Sequence, residues 1–212
     1  MKVLITGASS GLGRDMAKYL SSLGWDLIAV ARREKRLKEL QKTLKTDFKI
    51  INLDLGVEEN CYKLYEMTKN DNIDLLINNA GFGLFGLTTE TSLDRELEMI
   101  NLNIKAVHIL TKLFLQDFYQ KDKGQILNVA SSAGFLAGPR LNTYYATKNY
   151  VLKFTLAIYE ELRHQNSHVK ISCLCPGPVA TEFNKVAGGK FNIEEKRSYQ
   201  VAKYAIDKTL QN

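Results

Sequence analysis

The chain is short of cysteine. Three in 212 residues, an odd number without framework spacing, argue against a disulfide scaffold and for a reducing, cytoplasmic setting. Cys173 and Cys175 fall on one face of a predicted strand and read as packing residues. No apolar run approaches the ~18 residues of a membrane-spanning helix, so no membrane association is expected. The N-terminus carries one lysine, then a short strand and a glycine turn, which does not read as a signal peptide. Histidine is scarce too: His108, His164 and His168 lack ligand or triad spacing, and no metal site is expected. His108 reads as a helix-packing residue. The net charge of +6 does not point to nucleic acid, because lysines alternate with glutamates along stretches such as Glu34–Lys45, as on a solvated helix face. Internal repeats, low-complexity segments and linkers are missing as well.

What the chain does have is alternation. Short apolar runs suited to buried parallel strands fall at 2–6, 26–31, 48–53, 73–79, 124–130 and 169–175. Helical spacing falls near 12–23, 34–45, 58–69, 93–119, 143–165 and 194–210. A hydrophobic content of 45% over this length supports one sizeable core. The order predicts a doubly wound α/β fold, with a parallel sheet of about six strands and helices on both faces. Ligands bind such sheets beyond the carboxyl ends of the strands. The glycine loop, Asn78–Gly81, Ser131 and Pro176–Thr181 all fall there.

Two constellations carry chemistry. After the first strand, Thr6-Gly7-Ala8-Ser9-Ser10-Gly11-Leu12-Gly13 leads into a helix. Gly7 permits the tight turn, Gly11 admits a pyrophosphate close to the backbone, and Gly13 lets the helix pack on the sheet. The free N–H groups of that helix end would face phosphates. The spacing is Gly-x-x-x-Gly-x-Gly rather than the commoner Gly-x-Gly-x-x-Gly. The second constellation is Tyr144 and Lys148, four apart and therefore on one helix face, with Ser131 upstream. A phenol with a pKa of about 10 is a poor acid or base near neutrality, and an ammonium beside it is expected to draw that value down.

These residues resemble those of the short-chain dehydrogenase/reductase family, in its single-domain branch. Five motifs carry the resemblance along nearly the whole chain: Thr6–Gly13, Asn78-Asn79-Ala80-Gly81, Asn103 in Asn-Leu-Asn-Ile-Lys-Ala, Ser131 before Tyr144 and Lys148, and Pro176-Gly177-Pro178-Val179-Ala180-Thr181. Ala130 and Asn149 depart from the usual Ser and Ala. The resemblance implies a Rossmann-type fold in a single dinucleotide-binding catalytic domain over 1–212, with a substrate loop at about 176–195. It implies a catalytic set of Asn103, Ser131, Tyr144 and Lys148. Asn103 would fix a water in a proton relay to Lys148, which would also hold the nicotinamide ribose. Tyr144 would exchange a proton with the carbonyl or alcohol oxygen, which Ser131 would orient. The cofactor would be held by Gly7, Ser9, Ser10, Gly11, Leu12, Gly13, Asp54, Leu55, Asn79, Ala80, Gly81, Pro176, Gly177, Val179 and Thr181.

Ala31 stands where NAD-type relatives carry Asp, and Arg32 follows, as in NADP-type members. Guanidinium groups match phosphate in geometry and charge, so Arg32, with Arg33 or Ser9 assisting, is expected to hold a 2′-phosphate. The expected function is an NADP(H)-dependent oxidoreductase acting on a small-molecule carbonyl or secondary alcohol. A substrate pocket of Phe82, Phe85, Phe135, Leu136 and Phe183 would be apolar. A dinucleotide-sensing scaffold would show a broken catalytic set, and an epimerase or dehydratase a separate substrate domain. Relatives dimerise through the helices at 93–119 and 143–165. Apolar Leu110, Leu113, Phe114, Phe118, Leu152, Phe154, Leu156 and Ile158 are expected to exceed the need of one sheet face there. Relatives also add a further edge strand. Here the edge strand 169–175 is expected to be shielded by the 194–210 helix or by a partner.

Overall fold

The computed structural model describes residues 1–189 and 195–211. The elements are β1 Lys2–Thr6, α1 Gly11–Ser22, β2 Asp26–Val30, α2 Glu34–Gln41, β3 Phe48–Ile51, α3 Glu58–Thr68, β4 Leu75–Asn78 and α4 Leu93–Ile100. They continue with α5 Val107–Gln120, β5 Gln125–Val129, α6 Asn142–His164, β6 Lys170–Leu174, β7 Val179–Ala180, α7 Phe183–Ala187, β8 Lys196–Arg197 and α8 Ser198–Gln211. The six long strands form one parallel sheet in the order β3-β2-β1-β4-β5-β6. The chain leaves β1 in one direction and returns to its other side at β4. A crevice therefore opens beyond the carboxyl ends of these two strands.

Strand β1 shows why the sheet is buried on both faces. Val3 and Ile5 enter one cluster with Met16, Leu20 and Ile206, while Leu4 enters the opposite one with Leu64, Leu110 and Phe114. All three β1 side chains are fully buried, each contributing roughly 1.5–3 kcal/mol on transfer from water. Helix α6 follows the same logic over three turns and more. Tyr144, Thr147, Lys148, Val151, Leu152, Thr155, Ile158 and Leu162 are its buried residues, a stripe at three- and four-residue spacing. Tyr144 and Lys148 are buried because they continue the stripe that holds α6 to the sheet.

The helix expected at 93–119 is interrupted. A π-helical segment at Asn101–Ala106 separates α4 from α5, a wide turn of the kind that gathers at functional sites. Several residues read as spare apolar surface are in fact core: Leu110, Phe114, Phe118, Leu152 and Ile158 are buried. Phe114 meets Tyr65 of α3 edge-on. His108 packs against α6 while staying open to solvent. It is exposed, stacked on Phe154 and bonded to the Tyr150 hydroxyl.

The helix expected at 194–210 is described from Ser198, its predicted first residue lying outside the described residues. Its Ala202, Ala205 and Ile206 pack with Met16, Ala17 and Leu20 of α1. It covers a sheet face rather than pairing with β6, which is the last strand of the described sheet. Behind β4 and β5 lies a buried polar chain. Asn78 Nδ2 donates to Asn128 Oδ1 at 2.9 Å and to Thr111 Oγ1 at 3.0 Å, and Asn128 Nδ2 donates to Thr155 Oγ1 at 3.0 Å.

Candidate active site

The crevice holds a cleft of about 430 Å³, within the range of small-molecule sites. Nearly every residue singled out in the sequence lines it: Gly7, Ser9, Ser10, Gly11, Leu12, Arg32, Arg33, Asp54, Leu55, Asn79, Ala80, Gly81, Ser131, Tyr144, Lys148, Pro176, Gly177, Val179 and Thr181. Of the predicted catalytic and cofactor-binding residues, two do not reach the wall. Gly13 sits beneath the turn, where an added Cβ would lie 2.4 Å from Asn79 Nδ2 and 2.6 Å from Gly7 O. Asn103 is fully buried behind Gly81, whose own added Cβ would meet Asn103 Oδ1 at 2.9 Å and Lys148 Nζ at 3.5 Å.

The turn after β1 is built to approach a ligand. Gly7 and Gly11 have φ of +70° and +52°, left-handed values that a side chain would strain. Thr6 Oγ1 accepts from the N–H groups of Asn79 and Ala80, both at 3.0 Å, and Asn79 Nδ2 donates back to Thr6 O at 3.0 Å. These bonds bind the ends of β1 and β4 together under the cleft. Helix α1 then starts without a side-chain cap bond from Ser10 and without an acidic residue in its first turn. Its terminal N–H groups and positive dipole end therefore remain available to an anion.

The opposite wall carries the proton chemistry. Ser131 caps a 3₁₀ turn at Ser132–Phe135, its Oγ accepting from Ala133 N at 3.1 Å. It stands near enough to Tyr144 to counter part of the effect of burial on that phenol. Gly134 lets this turn rest on α6, since a Cβ there would meet Lys148 O at 2.9 Å. Asn149, where Ala is usual, ties the turn down by donating from Nδ2 to Gly134 O at 2.8 Å. Lys148 Nζ donates to Val129 O at 2.8 Å and lies 5.9 Å from the centre of the Tyr144 ring.

The expected lowering of the tyrosine pKa is not met by this arrangement. Burial pushes Tyr144 up to about 12, against the opposing influence of Ser131. The same low-dielectric surroundings push Lys148 down to about 8. Burial is the leading cause for both groups. Asn103 is held by its whole side-chain amide. Its Oδ1 accepts from Phe82 N at 3.1 Å, and its Nδ2 donates to Phe82 O at 2.9 Å and Thr147 Oγ1 at 3.1 Å. The side chain fastens the loop after β4 to α6 and forms no direct bond to Lys148.

The basic end of the cleft is arranged around Arg33 more than Arg32. Arg32 is exposed and reaches Asp54 Oδ2 only at 3.4 Å. Arg33 donates to Ser10 Oγ at 2.6 Å and to Ser9 Oγ at 3.2 Å. Arg36 and Glu182 join this end and were missed in the sequence. The three-residue spacing of Arg36 from Arg33, the residue just before α2, was the available signal for the first.

The apolar side comprises Phe82, Leu102, Leu141, Tyr145, Phe183 and Val186. Phe85 packs into the same cluster. Phe135 and Leu136, expected to join them, are instead 64% and 65% exposed. The 3₁₀ turn uses Ala133 and Gly134 as its inward face.

Among the described residues, no helix is long and apolar enough to cross a membrane. A family model described as short chain dehydrogenase matches residues 1–190. The chain is 32% identical over 209 residues to an NADP-dependent 3-hydroxy acid dehydrogenase of Schizosaccharomyces pombe, covering 95% of this chain and 79% of that protein. It superposes on a short-chain dehydrogenase of Sphingobium yanoikuyae in complex with NADPH with a TM-score of 0.91 at 28% identity, covering 99% of this chain and 84% of the other. A short-chain dehydrogenase/reductase of Burkholderia phymatum in complex with NAD superposes with a TM-score of 0.82 at 26% identity, covering 100% and 79%.

Proposed function

The chain belongs to the short-chain dehydrogenase/reductase family and is an oxidoreductase, and from that premise we propose that it is an NADP(H)-dependent reductase of apolar aldehydes or ketones. The observation that carries the reading is one cleft in which Tyr144, beside Ser131 and with Lys148 behind it, faces an uncapped helix end flanked by Arg32 and Arg33. The glycine turn, the α1 N–H groups and the walls at Asn79–Gly81 and Pro176–Thr181 suit a dinucleotide, with Asp54 and Leu55 at its adenine end. A bound nicotinamide dinucleotide supplies the hydride.

The protein's own part is the oxygen of the substrate. Ser131 orients it by hydrogen bonding. Tyr144, protonated at neutral pH as any phenol is, donates its proton to the developing alkoxide. Lys148 is largely an ammonium at pH 7, a charge that favours the phenolate left behind. Asn103 keeps the loop after β4 and helix α6 in register around this pair. Phe82, Leu141 and Phe183 exclude water and suit an apolar substituent beside the carbonyl. We place the protein in the cytoplasm, in keeping with its three free thiols. We also infer a homodimer through α4, α5 and α6, where Tyr119, Leu156 and Tyr159 are 46–49% exposed.

Steady-state assays with NADPH and NADH over a panel of aldehydes and ketones test the reading. NADPH should support turnover to the alcohol far better than NADH. Tyr144→Phe should lower turnover by ~10²–10⁴-fold while dinucleotide binding, followed by calorimetry, stays intact. Equal kcat/KM for the two cofactors would remove the phosphate role, and wild-type turnover by Tyr144→Phe would remove the tyrosine.

A further inference from the structure

The basic mouth of the cleft holds a carboxylate that the reading above leaves unused. Glu182 follows Thr181 and reaches across to the start of α2. Its Oε2 accepts from Arg33 Nη1 at 2.9 Å, and both its oxygens accept from Arg36 Nη1 at 2.7 Å. The two guanidinium groups hold its carboxyl below the usual range, Arg36 more than Arg33. Arg33 meanwhile keeps its bonds to Ser9 and Ser10. An anion therefore already sits between two guanidiniums, one of which also holds two serine hydroxyls. Arginine forks accept carboxylate and phosphate in the same geometry.

The neighbouring residue faces the other end of the cleft. The Phe183 ring lies 5.0 Å, centre to centre, from the ring of Tyr144. It fits there because position 83 is glycine: an added Cβ would be 2.6 Å from Phe183 Cζ. Residues 181–183 are thus pinned to the arginines on one side and lie against Tyr144 on the other.

We propose that Glu182 is an internal competitor of the dinucleotide's 2′-phosphate, and that its displacement by that phosphate lifts Phe183 away from Tyr144 and opens the substrate side of the cleft. The proposal rests on the assignment of the basic mouth to the 2′-phosphate. A phosphate monoester carries about −1.5 to −2 charges at pH 7 and three acceptor oxygens, against one charge and two oxygens on the carboxylate. It outcompetes Glu182 for the forks and repels it. A dinucleotide without the phosphate leaves Glu182 bound and Phe183 over the tyrosine. Glu182 thereby makes the phosphate a condition for substrate entry as well as a contact for affinity.

Calorimetric titration of wild type and Glu182→Gln with 2′,5′-ADP and with 5′-AMP, joined to hydrogen exchange over residues 179–189, tests this. The substitution should tighten 2′,5′-ADP by about two- to fivefold, the range set by exposed ion pairs, and leave 5′-AMP unchanged. In wild type, 2′,5′-ADP but not 5′-AMP should speed exchange in α7. In Glu182→Gln, that exchange should be fast before any ligand is added. Unchanged or weaker 2′,5′-ADP binding by the variant, or slower exchange in α7 on its addition to wild type, would overturn the role of Glu182 alone. Equal affinity of wild type for the two nucleotides would overturn the phosphate assignment itself.

Discussion

Replacing Lys148 with methionine should stabilise the folded protein at neutral pH while abolishing turnover. The lysine is fully enclosed, and burial depresses its pKa from 10.5 to about 8. Because the folded value lies below the unfolded one, the unfolded chain binds more protons between these limits, and stability rises with pH across them. The cost of holding the ammonium is therefore fully present below pH 8 and fades toward pH 10.5. At pH 7 it is about 3 kcal/mol, and at pH 10 about 1 kcal/mol. Methionine fills a similar volume without the charge, but it leaves Val129 O without its 2.8 Å donor, a loss of about 1 kcal/mol. The expected balance is a gain of about 2 kcal/mol at pH 7 that vanishes by pH 10. Urea titrations at the two pH values, followed by the fluorescence of the single, buried Trp25, read this as a shift in midpoint at constant slope. A variant no more stable than wild type at pH 7, or a difference that ignores pH, would refute the reasoning.

Two further outcomes test the scaffold around the cleft. Gly13→Ala should cost about 1–3 kcal/mol by overpacking and abolish dinucleotide binding, because its Cβ would press on Gly7 O and Asn79 Nδ2. Gly177→Ala, with no atom of the described residues within 4 Å of the added one, should change stability by less than about 0.5 kcal/mol; equal melting temperatures for the two variants would refute the packing account. Light scattering at micromolar concentration should give the mass of a dimer, and a soluble, active monomer would remove the proposed α4–α6 interface.

The sheet and the site were legible in the sequence for different reasons. Strand runs such as Val3-Leu4-Ile5 are apolar on both faces, so their burial follows from composition with no need to know their neighbours. The cleft was legible because its residues sit at strand ends and helix starts, where glycine, asparagine and serine stand out against the apolar background. What stayed hidden depends on three-dimensional proximity. Nothing local says that Glu182 meets residues almost 150 positions earlier, or that burial on α6 raises the Tyr144 pKa rather than lowering it. The π-helical segment was missed because its apolar residues keep ordinary helical spacing. Phe135 and Leu136 were misplaced because an apolar residue on a tight 3₁₀ turn has no periodicity to announce which way it faces.

The buried amides behind β4 and β5 have a consequence for alignment. Parallel strands made of leucine, isoleucine and valine are nearly indifferent to a slip of two residues, since the same faces stay buried. Here Asn78 stands directly opposite Asn128. Sliding β5 by two would set Asn128 opposite Leu76 and pull it from Thr155 as well. Each stranded amide group would cost about 1–3 kcal/mol in the dry interior. The polar chain works as a key cut for one position of the two strands. The strands on which Asn79 and Ser131 depend are thereby set in a single register before any ligand arrives.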